Sequence, residues 1–161
     1  MAVNAYLVIE GRPGPSASRT DAIDILSFSF GASNTSPFGA GSSGSETRAG
    51  RADVSNLTIM KVLDKTSPLL FDDCVTGNIL KKVEIFYDKP MGDKQEDYFK
   101  IELHEALITS VQLSGSNENP MESVSFAFAK VKVSYNPESK ETGALAGFID
   151  KGYDVQKLVT W

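Results

Sequence analysis

The strongest constraint in this chain is a period-two alternation of apolar and polar residues sustained over two long stretches. Across residues 99–113, Phe99, Ile101, Leu103, Leu107, Val111 and Leu113 share one phase, while Lys100, Glu102, His104, Ser110 and Gln112 share the other. Successive side chains of a strand point to opposite faces, so this stretch reads as a half-buried strand, bent midway. Residues 122–135 repeat the pattern, with Val124, Phe126 and Phe128 in one phase and Val131, Val133 and Tyr135 in the other. The switch near Ala129 and Lys130 predicts a bulge. Further β-branched and aromatic runs at 3–9, 23–30, 54–62, 82–87 and 147–155 bring the expected strands to about seven, which implies a sandwich or a closed barrel.

One segment breaks this pattern. Ser67 is a good N-cap, Pro68 suits the first helical position, residues 69–75 lack breakers and Gly77 can close the end, so a short helix is expected over 68–76. Asp72 and Asp73 sit in its middle and read as a solvated face. Residues 31–50 are rich in Gly, Ser, Ala and Asn without periodicity, and Phe38 is the large residue near their centre. Long loops of this kind inside a compact domain tend to be functional, and a loop ordered against a neighbouring subunit fits.

The chain has 161 residues, a size at which one hydrophobic core is efficient, and a single domain over 1–161 is expected. A formal charge of −5 with scattered basic residues argues against a nucleic-acid partner. No apolar run approaches the roughly 20 residues needed to span a bilayer, and the first residues lack the basic and apolar regions of an export signal. Catalysis finds little footing. His104 is the only histidine, lies on the polar face of an expected strand, and has no orienting partner nearby in sequence. Cys74 is the only cysteine and reads as a small buried hydrophobe. A zinc site needs three or four soft ligands, and the glycines at 39, 41, 44 and 50 lack the spacing of a phosphate loop. No catalytic, cofactor or metal residue is therefore expected.

Seven segments in order then carry a resemblance. They are IDILSFSFG at 23–31, the strand at 51–61, DKTSPLL at 64–70 running on to Cys74, Thr76 and Gly77, GDKQEDYFKIEL at 92–103, VQLSGS at 111–116, ESVSFAFAKV at 122–131 and GYDVQK at 152–157. Together they resemble the haemolysin-coregulated protein (Hcp) family, the tube proteins of bacterial type VI secretion systems. The segment RPGPSASRTDA at 12–22 departs from the acidic loop of that family.

The resemblance implies a compact β-barrel of two antiparallel sheets with one short α-helix, assembling as a hexameric ring whose copies stack into a tube. It also implies a spike protein at the tip, a contractile sheath outside and small effector proteins in the lumen, with synthesis in the bacterial cytoplasm and secretion without a cleaved signal. On this reading Ser27 and Ser29 face the lumen and contact cargo, because Leu26, Phe28 and Phe30 alternate with them. Phe38, Arg48 and Arg51 are expected at subunit or ring interfaces. The alternative is a monomeric β-barrel binding module that recognises a peptide or glycan through the 31–50 loop.

Overall fold

Hydrogen bonding among the alternating stretches decides the architecture. The structure is a computed structural model described for residues 3–34 and 52–161. The described elements are β1 (Asn4–Ile9), β2 (Ile23–Asp24), β3 (Ser27–Ser29), β4 (Ala32–Asn34), β5 (Ala52–Val54), β6 (Leu57–Val62), α1 (Ser67–Thr76), β7 (Ile79–Met91), β8 (Lys94–Ser114), β9 (Met121–Tyr135), β10 (Ile149–Asp154) and β11 (Val159–Thr160). Nine strands form one antiparallel sheet, and β4 pairs with β5 in a separate two-stranded one. The two expected sheets are present but very unequal.

The long strands β7, β8 and β9 are the spine. β8 pairs with β9 from Phe99 to Ser114, whereas β7 pairs with β8 only as far as Leu107. On its other edge β9 serves two neighbours: Met121–Phe126 pair with β6 and Lys130–Tyr135 with β10. The 23–30 stretch, expected as one strand, is two. The Ile25 N–H donates to the Ala5 carbonyl (3.2 Å), and the Leu26 N–H donates to the Met60 carbonyl (2.8 Å). The chain there changes partner from β1 to β6, which splits it into β2 and β3.

The bend expected in the 99–113 stretch sits at Glu105, a non-glycine residue at φ 52°. It moves the buried face from Ile101 and Leu103 to Ala106 and Ile108, so Leu107 is only half-buried rather than in line with Leu103. A bulge follows between Ile108 and Ser110, on β8 rather than at Ala129 and Lys130 of β9. The inward face of β9 does change there, from Phe126 to Ala129. The core gathers Leu7, Ile23, Ile59, Leu70, Ile85, Ile101, Leu103, Val124 and Phe126, with Phe28 stacked on Phe99 at 5.8 Å.

Helix α1 starts one residue earlier than expected. Thr66 takes the N-cap position, and the Ser67 hydroxyl turns to Lys61 instead of capping. Gly77 adopts a left-handed conformation (φ 69°) and its N–H donates to the Asp73 carbonyl, closing the helix. Leu70 faces inward, and burying it contributes about 2 kcal/mol. Cys74 is half-buried against the core. Asp73 is a correction: it is fully buried, not on a solvated face. The Arg12 Nε and Nη2 donate to its two oxygens at 2.9 and 2.7 Å, and Asn78 Nδ2 donates at 3.0 Å.

That contact also explains the 12–22 segment, which is tied down at two points, once to α1 and once to the sheet. Arg12 ties it to α1, and Arg19 donates two bonds to Asp97 of β8 (2.8 and 3.0 Å) while lying 4.0 Å over the Phe86 ring. A third clamp closes the far side. Gly152 and Trp161 exchange backbone hydrogen bonds (3.1 and 3.0 Å), and a Cβ on Gly152 would stand 2.9 Å from Trp161 Nε1 and 3.0 Å from its carbonyl oxygen. Gly152→Ala is therefore expected to push β11 off the sheet at a cost of about 1 to 2 kcal/mol. Because Trp161 is the sole tryptophan, its fluorescence reads the displacement directly as a shift to longer wavelength.

Candidate functional site

The strand spine has two ends of opposite character. Where β7, β8 and β9 run together, the outward face is charged. Lys82 Nζ stands 2.9 Å from Glu102 and 3.5 Å from Glu84, and Lys100 stands 3.2 Å from Glu84. Burial alone would raise the Glu102 carboxyl, but the hydrogen bond from Lys82 and the nearby charges of Lys100 and Lys82 hold it below the usual carboxylate range. His104 is not a free surface residue. Its ring lies 3.4 Å from Glu102 and meets the Trp161 ring edge-on at 5.2 Å.

At the other end, β3, β6, β9 and the last part of β8 lie side by side, and their outward face is uncharged. Cross-strand pairing aligns Ser29, Thr58, Ser125 and Ser110 in one row. The next row holds Ser27, Met60, Ser123 and Gln112. Directly opposed residues share a face, so six of these eight side chains present hydroxyls to one surface. Thr58 Oγ1 and Ser125 Oγ bond at 2.9 Å across it. The residues between them, Phe28, Ile59, Val124 and Val111, point the other way into the core.

Both outer edges of this four-strand array lack a strand partner among the described residues. β3 pairs only with β6, and the pairing of β7 with β8 stops at Leu107, leaving Ile108–Ser114 bonded on one side alone. Unpaired edges are places where another chain can add a strand.

Ser27 and Ser29 are both exposed on the outward face of β3. Phe38, Arg48 and Arg51 fall outside the described residues. Sequence reasoning missed Thr58, Ser110, Ser123, Ser125 and Gln112. Their signal was the same small-polar alternation, but the cross-strand register that gathers them is set by pairing between distant segments.

A sequence model of the family described as "Type VI secretion system effector, Hcp" matches residues 6–135. The chain belongs to the Hcp family. Protein hcp1 of Pseudomonas aeruginosa is 31% identical to this Hcp over 111 residues, covering 68% of each chain. Among solved structures, a type six secretion system protein has a TM-score of 0.87 at 25% identity, covering 99% of this chain and 100% of its own. Hcp1 from Salmonella typhimurium has a TM-score of 0.79 at 25% identity, over 100% of both chains. A type VI secretion system effector from Yersinia pestis follows at 0.71 and 25%, over 94% of this chain and 99% of that one.

The family finding supports the tube protein of type VI secretion and gives no support to the monomeric peptide- or glycan-binding module. The description of the matched family names a secretion-system component and no reaction. No helix among the described residues is long and apolar enough to cross a membrane.

Proposed function

We propose that this Hcp, acting as one tube domain over 1–161, is the structural subunit of a type VI inner tube. Six copies close into a ring, rings stack, and the uncharged hydroxyl face lines the lumen. The observation that carries this reading is the four-strand array whose edge on each side has no strand partner among the described residues. Joining the β3 edge of one copy to the β8 edge of the next is a head-to-tail contact, and such contacts close into rings when the rotation allows. A continuous lumenal wall of small neutral side chains results. It suits passage of varied cargo because it offers hydrogen bonds without a fixed charge that would hold one cargo tightly.

The partners that follow are other copies, a spike protein at the tip, a contractile sheath outside and small effector proteins within. The chain is made in the cytoplasm and is then secreted. Phe38, Arg48 and Arg51 are assigned to contacts between subunits or stacked rings, and Phe38→Ala is expected to weaken stacking.

Negative-stain microscopy of the purified protein tests the ring. Rings of six are expected, and monomers alone at high concentration would overturn the proposal. Ser29→Gln lengthens a side chain on the lumenal face and is expected to lower effector co-purification several-fold with rings intact, the size of effect a single interface contact of about 1 kcal/mol carries. Unchanged retention would remove Ser29 from the cargo surface.

A further inference from the structure

A groove on the outward surface of the spine is used by neither the free edges nor the hydroxyl face. Its larger part is a cavity of about 530 Å³ walled by Lys81, His104, Lys130, Lys157 and Trp161. It shares Glu105, Ala129 and Gln156 with a smaller hollow of about 280 Å³ lined by Ile79, Leu107 and Phe128. One end of the groove is therefore cationic and the other apolar. Among the described residues none of Lys81, Lys130 and Lys157 is in an ion pair. The groove's own acids are Glu105 and Asp154, and Asp154 Oδ1 already accepts from the backbone N–H groups of Gln156 and Lys157. The Trp161 ring is held by Lys132 at 4.1 Å and Lys130 at 5.2 Å, which makes it a firm wall.

The complementary chemistry occurs elsewhere on the same chain. Helix α1 turns Leu70, Asp73 and Cys74 inward, and its outward face carries Phe71 (53% exposed), Val75 (64% exposed) and the exposed Asp72. Phe71 and Val75 are four residues apart and so adjacent on the helix, with Asp72 beside them. An apolar pair next to a carboxylate matches an apolar hollow next to lysines.

We propose that the outward face of α1 in one copy docks into this groove of the next copy. Phe71 and Val75 fill the hollow at Ile79, Leu107 and Phe128, and the Asp72 carboxylate meets Lys81 and Lys157. The two patches are different surfaces, so the contact is head-to-tail, the kind a ring requires. The inference rests on the ring-forming reading and names the residues of one of its contacts. Burying aromatic and aliphatic anchors supplies the affinity, and the charge pairing fixes orientation.

The test is the concentration at which the full chain half-assembles, followed by sedimentation velocity. Phe71→Asp, and separately Lys81→Glu with Lys157→Glu, are each expected to raise that concentration about thirtyfold. All three positions are exposed, so the fold is expected to survive, and unchanged circular dichroism checks it. Adding Asp72→Lys to the double lysine variant restores the charge pairing in reverse and is expected to recover about tenfold. If the wild type forms rings and every variant assembles at the same concentration, the groove assignment is overturned and the ring reading stands. A wild type that remains monomeric overturns the ring reading, and this contact with it.

Discussion

Glu122→Ala is expected to destabilise the protein by about 3 to 5 kcal/mol, the largest effect of any single substitution considered, read as a loss of midpoint in urea denaturation. Lys61 and Glu122 are directly opposed across β6 and β9, both side chains are fully buried, and Nζ stands 2.7 Å from Oε1. The Lys61 ammonium also donates to Ser67 Oγ at 3.1 Å and to the Val62 carbonyl at 3.2 Å, and lies 3.3 Å from Asp64. Asp64 in turn accepts from the Thr66 N–H at 2.8 Å and from the Thr66 hydroxyl. This one lysine therefore joins two strands to the start of α1. Removing Glu122 leaves a buried ammonium short of its closest counter-charge, whereas replacing both partners removes the desolvation cost together with the attraction. The pair Lys61→Met and Glu122→Leu is accordingly expected to cost less than Glu122→Ala alone. If the double replacement is the worse of the two, the pair is a net source of stability.

Asp73→Asn is expected to cost about 2 kcal/mol at neutral pH, and the cost is expected to vanish in acid. Burial alone would raise the Asp73 carboxyl, but the hydrogen bonds from Arg12 and Asn78, and the Arg12 charge, lower it below its ordinary value. A carboxylate lowered on folding adds stability that is fully present above its unfolded pKa and is lost as pH falls through the folded one. The gap between wild type and Asp73→Asn is thus expected to be constant above about pH 5 and to close as pH falls below about 4. Urea denaturation of both proteins across this range is the measurement. A gap that persists unchanged to pH 2 would mean that the carboxylate charge contributes nothing.

Both effects were partly written in the chain. Leu57, Ile59 and Lys61 share a phase in β6, so the same alternation that predicted the strand also put a lysine on its buried side. What the alternation does not reveal is the partner, because Glu122 is 61 residues away and is brought opposite only by the β6–β9 register. Asp73 was misread for a related reason. Counting along a short helix does not say which face packs, and Arg12, its ligand, arrives from a loop with no periodicity. The same limit applies to the hydroxyl surface: Ser27 and Ser29 were legible from local alternation, whereas Thr58, Ser110, Ser123 and Ser125 join them only through pairing.

The sequence alone determined what is local or composition-wide. Period-two patterning called for strands, Pro68 and Gly77 framed the helix, a single histidine and a single cysteine argued against a zinc site or an activated nucleophile, and seven ordered segments pointed to the Hcp family. The tertiary structure alone decided where the long strands bend, which strand edges lack a partner among the described residues, which charges are buried and which small polar residues share a surface. The division has one physical cause. Side-chain alternation and capping act within a few residues, but register, edges and burial arise from contacts between segments far apart in the chain, and no local pattern encodes them.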